Sequence, residues 1–450
     1  MTQPHQSRVP GWIRILLFVS LLLTARTPAT AQESAASGND PFSQATTKKG
    51  LQVQMVDDAL NLGIQHAAIN LNLSQLIDPA GRDGNPYWEK DGRKFHFRAD
   101  YLAALERQIK PLSDRNVLVY VIVLVYVGQD DAVSRILVHP QYDPECPNRI
   151  SAFNVVTEEG RDWLTATFHF LARRWSGSQS GHGRVVGYII GNEVNSHWMW
   201  SNRGKVRAND FIDEYVQAVS IASKAVRAES PTSRVYISLD HFWNRPMSEQ
   251  PGRSMPGKLL LDRFAFRQKN FGEFEWHIAY HPYPENLFTA AFWKDTSPTH
   301  DEGTPRITMK NLDVLTTYLQ RPELLQNGLP RRVILSEQGF HSYTDDRASE
   351  ELQAAAFCLA WKVVERNPGI DAFIYHRHVD HAAEGGLNLG LWARAPKSVA
   401  TPLYRKPIHH VFQMADTPDW EEAFRFALPI IGQPDWETAV MSLSREKPRE

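Results

Sequence analysis

Seven short apolar runs punctuate the chain, and longer segments with helical spacing lie between them. The runs are IQHAAINLNL (64–73), VLVYVIVLVY (117–126), VVGYIIGNE (185–193), RVYISLDHFW (234–243), WHIAYHPY (276–283), RVILSEQGF (332–340) and AFIYHRH (372–378). Most are apolar at every position rather than at alternate ones, which predicts strands buried on both faces and hence a parallel sheet. Helical patterns at 100–113, 159–175, 209–228, 309–320 and 349–366 separate them. Alternating strands and helices define an α/β class, and a (β/α)8 barrel would need eight such strands. Only seven strands are visible. KKGLQVQMVDDALNLG (48–63) reads as a helix, leaving 41–47 as a poor first strand. An open doubly wound sheet is the competing architecture, but no glycine-rich phosphate turn follows an early strand.

Between these units, PYWEKDGRKFHF (86–97) predicts a hairpin turning at Asp91-Gly92. Residues 127–157 form a further excursion. TPDWEEAF (417–424) and QPDWETAV (433–440) resemble each other and read as two helix starts.

The N-terminus changes the domain picture. Arg8 and Arg14 precede ILLFVSLLL (15–23), and ATA (29–31) offers small residues for cleavage. This is the pattern of a secretory signal peptide, and the apolar run is too short for a comfortable membrane span. No Cys follows it, which argues against a lipid anchor. The expected organisation is a signal peptide over 1–31, a flexible leader over 32–47, and one barrel domain over 48–450 ending in a helical extension. The expected location is secreted or periplasmic, with no stable membrane span after cleavage. Without 1–31, 46 basic side chains face 51 acidic ones, a net charge of −5. No block of Lys and Arg stands out, so nucleic acid is not an expected partner. Cys146 and Cys358 are the only cysteines, which excludes a disulfide scaffold and a cysteine-only metal site.

Polar residues gather where the strands end. The first visible strand closes on Asn70 and Asn72, the third on Asn192-Glu193, the fourth on Asp240, His241 and Trp243. The next three close on His281 and Tyr283, on Glu337 and Gln338, and on His376 and His378. In a barrel those ends form one face, the face that carries active sites. Buried charge is costly unless it is paired or functional, and Glu193 and Glu337 each terminate a strongly apolar strand. Paired carboxylates suit glycoside hydrolysis, one protonating the leaving oxygen while the other attacks carbon or activates water. Tyr283 is placed to donate to an ionised Glu337, and Asn192 to bind a hydroxyl beside the reacting centre.

The order Asn-Glu, then His-x-Tyr, then Glu on successive strands resembles the clan A glycoside hydrolases, which are retaining (β/α)8 enzymes. The resemblance implies that Glu193 is the acid/base closing the fourth strand and Glu337 the nucleophile closing the seventh, with Tyr283 the nucleophile's aromatic partner. It covers roughly residues 50–415. KKGLQVQMVDDA, YHPYPENLF and ILSEQGFHS also resemble an uncharacterised family of exported glycosidase-like barrels, which implies an architecture but no substrate. Three features depart from the clan pattern: the first strand is not visible, no Arg sits on the strand ending near Asn70, and YHRHVDH (375–381) replaces a Trp at the end of the last strand.

The resulting expectation is an exported glycoside hydrolase acting on a poly- or oligosaccharide, with Glu193 and Glu337 catalytic. Asn192, Tyr283, His281, His241, Trp243, Trp198, Trp392 and His376 are expected to bind the sugar, since pyranose faces stack on aromatic rings. No metal or other cofactor is expected. One alternative is a metal-dependent barrel hydrolase using His241, His281, His376, His378 and Asp380, although the His-x-His typical of a first strand in such enzymes is missing. Another is a catalytically inactive glycan-binding barrel.

Overall fold

A computed structural model describes residues 42–177 and 181–444. The signal peptide and the first part of the leader lie outside the described residues. Eight parallel strands form the centre: β1 (Lys49–Gln52), β2 (His66–Asn72), β3 (Leu118–Tyr126), β4 (Gly187–Ile190), β5 (Arg234–Asp240), β6 (His277–His281), β7 (Val333–Leu335) and β8 (Ile370–Tyr375). Each pairs with its neighbour, and β1 pairs with β8 in parallel, Lys49 opposite Phe373 and Leu51 opposite Tyr375. The sheet is therefore closed, and the fold is a (β/α)8 barrel.

The strand missing from the sequence reading is β1, inside the segment read as a helix; the helix occupies only Val56–Asn61. The strand has four residues, and its polar ends disguise it. Lys49 is buried, its ammonium held by the carbonyls of Gln413 and Ala415 and paired with Asp416 at 2.8 Å. Gln52 reaches into the opposite end of the barrel. Between them Gly50 is squeezed: a Cβ there would stand 2.9 Å from both His66 Cβ and Ile374 Cγ1.

β3 shows why continuous apolar runs were the right signal. Leu118, Tyr120, Ile122 and Leu124 fill the barrel interior, while Val119, Val121, Val123 and Val125 face the surrounding helices. Helices at Ala99–Ser113, Glu158–Arg174, Ala208–Glu229 and Arg347–Glu365 lie close to the expected ranges. The hairpin is present, Tyr87–Lys90 against Arg93–Phe97, with Asp91 and Gly92 both at positive φ. In the C-terminal extension, Asp419 and Asp435 precede helices Trp420–Phe424 and Trp436–Leu443 as read, and the Asp435 side chain caps the second.

Residues 42–47 are not a loose leader. Phe42 is buried beneath the Arg234 guanidinium, 4.0 Å from its ring centroid, and Thr46 and Thr47 hydrogen-bond to Gln65. Cys146 and Cys358 are both buried and unbridged. Among the described residues, no helix is long and apolar enough to cross a membrane.

Candidate active site

The site is assembled where β4, β6 and β7 end. After Ile190 the chain turns through Gly191 and Glu193, both in the left-handed region, with Glu193 at φ 40° and ψ 50°. A non-glycine residue there costs about 1–3 kcal/mol and persists only where the surroundings impose it. Here the Glu193 N–H donates to Ser238 Oγ at 2.9 Å, and the Tyr215 hydroxyl donates to the Ile190 carbonyl at 2.6 Å.

β6 supplies His281 and, just past its end, Tyr283. His281 Nδ1 donates to Glu193 Oε1 at 3.0 Å, and its other nitrogen meets Ser336 Oγ at 3.0 Å. The Tyr283 hydroxyl donates to Glu337 Oε1 at 3.1 Å. One oxygen of Glu193, one of Glu337 and a ring nitrogen of His281 all lie within 4.8 Å of one another. Carboxylates separated by 144 positions in sequence are thus brought together, each with its own donor from β6 or the loop after it.

The electrostatics follow from this packing. Burial alone would push the His281 pKa down, but the carboxylates of Glu337 and Glu193 outweigh it and the net shift is upward. The Tyr283 phenol is pushed far up, first by burial and then by the neighbouring charge of Glu337. It therefore stays a protonated donor at neutral pH.

A cavity of about 370 Å³ opens beside Glu337. Asn192 and His376 line it, together with Asn70, Gln52, Trp200 and Glu384. Glu193 is half-buried and lies outside this lining; Glu337 is its link to the cavity. Among the described residues nothing hydrogen-bonds the Asn192 side chain, so its amide is available to a ligand. His376 is held by Gln52 on one nitrogen and by Glu384 at 3.1 Å on the other. Glu384 also accepts from Arg377 at 2.7 Å. Burial raises the Glu384 pKa, yet His376 and Arg377 outweigh this and hold it at about 2. Sequence reading missed Glu384 because it sits mid-loop, away from any strand end, and missed Gln52 with its strand.

Several expected sugar contacts lie elsewhere. Trp243 is fully buried in the core, edge-on to Tyr318. Trp198 is buried, its indole N–H on Asp143 at 2.9 Å and the Arg253 guanidinium over its ring. Trp392 donates to Asp58 at 2.9 Å. None of the three borders the cavity. Their place near strand ends was legible, but the direction of each ring is set by packing. His241 is one layer back, its Nδ1 on the Tyr283 carbonyl at 3.1 Å.

The alternative metal set is dispersed. His378 is engaged by Asp58 at 3.0 Å, Asp380 by Lys406 at 3.0 Å, and His376 by Gln52 and Glu384. Among the described residues, the His, Asp, Glu and Cys side chains that do converge are Glu193, His281 and Glu337.

The family described as "Family of unknown function (DUF5722)" matches residues 41–439. The chain belongs to that family. A search of curated proteins finds no match. Among solved structures, a family 39 glycoside hydrolase from the gut symbiont Bacteroides cellulosilyticus WH2 is similar in fold, with a TM-score of 0.50 and 15% identity over 82% of this chain. The chain spans 63% of that enzyme's length. A hyperthermophilic beta-glucosidase from Pyrococcus furiosus gives a TM-score of 0.49 at 16% identity, covering 83% of this chain and 86% of its own. At 15% identity the likeness to the family 39 enzyme speaks for the fold alone, a (β/α)8 barrel.

Proposed function

We propose that this member of the DUF5722 family is an exported glycoside hydrolase that cleaves a poly- or oligosaccharide by a retaining, two-carboxylate mechanism. The observation that carries the reading is the meeting of Glu193 and Glu337 within 4.8 Å beside a cavity. Retaining enzymes hold their carboxyl groups about 5–5.5 Å apart, whereas inverting ones need roughly 6.5–9.5 Å to admit a water. Carboxylate oxygens that approach within 4.8 Å are in keeping with the retaining spacing and support direct attack.

The donors support an assignment of roles. Glu337 accepts from the neutral Tyr283 phenol, which stabilises and aims a charged nucleophile. Glu193 accepts from His281 and acts as the acid/base: it protonates the leaving oxygen, then takes a proton from water as that water attacks the glycosyl-enzyme ester. Asn192, with its unengaged amide, binds the sugar hydroxyl next to the reacting carbon. His376 and Trp200 bound the rest of the sugar site.

The deciding experiment is turnover of a broad panel of polysaccharides and aryl glycosides by the purified chain, with Glu337→Ala as control. Release of sugar by the wild type and none by the variant supports the reading. Binding without turnover would move it to the inactive glycan-binding alternative. Stoichiometric metal lost to a chelator together with activity would move it to metal-dependent hydrolysis.

A further inference from the structure

Asp240 ends β5 and is buried beneath the turn that carries Glu193. Its carboxylate is filled from three sides. Asn195 Nδ2 and the Phe242 N–H, at 2.8 Å, donate to Oδ1, and the Ser196 hydroxyl donates to Oδ2. Its own N–H returns to Asn195 Oδ1 at 3.0 Å. Ser238, on the same strand, accepts the Glu193 N–H. Residues 193, 195 and 196 are thereby all tied to β5.

That turn needs holding, because Glu193 has the left-handed backbone of a residue that favours a less restrained conformation. Asp240 is also a costly way to hold it. Burial, and then the charge of Glu193, push its pKa up. The charged and titratable groups that face it are Glu193 from the turn, Tyr280 and His281 from β6, and Arg306 from the following loop. Capping β5 would not require a carboxylate; bidentate restraint of Asn195 and Ser196 uses both of its oxygens.

Resting on the reading of Glu193 as acid/base, we infer that Asp240 is a positioning residue for proton transfer: it clamps the 193–196 turn so that Glu193 meets the leaving-group oxygen. Asp240 does not line the cavity beside Glu337 and takes no part in bond making.

The inference is read from leaving-group dependence. Asp240→Asn, Asp240→Ala and Ser196→Ala are assayed beside Glu193→Ala on phenyl, 4-nitrophenyl and 2,4-dinitrophenyl glycosides of whichever sugar the wild type turns over. General acid catalysis contributes about 10²–10⁴-fold, and a misplaced acid forfeits part of it. Phenyl glycosides should lose at least about 10-fold in kcat/KM in Asp240→Asn, while dinitrophenyl glycosides, which need no proton, change little. Loss of the same size for all three leaving groups, or no loss, overturns the inference. Where an Asp240 variant does not fold, as judged by its thermal melt, Ser196→Ala supplies the same contrast. An inactive wild type removes the reading of the site and this inference together. An active enzyme in which Glu193→Ala depends on the leaving group and folded Asp240→Asn does not removes this inference alone.

Discussion

The Tyr283 hydroxyl donates to Glu337 Oε1 at 3.1 Å, joining residues from the loops after β6 and β7. Hydrogen bonds to charged groups are worth about 1.5–3 kcal/mol. Tyr283→Phe should therefore lower kcat/KM by roughly 10- to 150-fold, with the thermal melt little changed. Unaltered kinetics in Tyr283→Phe would remove Tyr283 from the mechanism.

The two carboxylates should fail differently when truncated. Glu337→Ala should abolish turnover of every substrate. Glu193→Ala should spare the first step on activated aryl glycosides and show a burst of phenol before slow turnover. Azide should accelerate that slow step and give a glycosyl azide of retained configuration. A retained azide from Glu337→Ala and an inverted one from Glu193→Ala would reverse the assignment.

Trp200 borders the cavity and Trp243 the core, so their alanine variants should separate. Trp243→Ala should cost about 3–5 kcal/mol of stability, the range for a buried large aromatic, visible as a lowered urea midpoint. Trp200→Ala should leave that midpoint nearly unchanged and raise KM. Equal destabilisation in both would show that Trp200 is also a packing residue.

Glu384 gives a pH signature in stability. Its folded pKa, about 2, lies below the unfolded value of about 4.3. A depressed carboxylate stabilises the fold above the unfolded pKa, and that stabilisation is lost as pH falls toward the folded one. Urea midpoints should thus drop between about pH 4.3 and 2, and more shallowly in Glu384→Gln. Parallel curves for wild type and variant would show that the pairing with His376 and Arg377 is not maintained in solution.

The sequence by itself determined the α/β class, seven of the eight strands, and the strand-end positions of Glu193, Tyr283 and Glu337. These were legible because a strand buried on both faces must be apolar throughout, so a carboxylate at its end stands out against the run. β1 was hidden because four residues with polar ends carry too little pattern, and the Lys49 ammonium and the Gln52 side-chain carbonyl meet partners more than 300 positions away. Tertiary structure alone decided which aromatic rings face solvent, core or cavity, since Trp198, Trp243 and Trp392 share similar local surroundings and differ in what packs on them. It alone placed Glu384 against His376, and set Asp240 beneath the Glu193 turn. Distances between side chains on different strands depend on closing the sheet, and no local spacing encodes that closure.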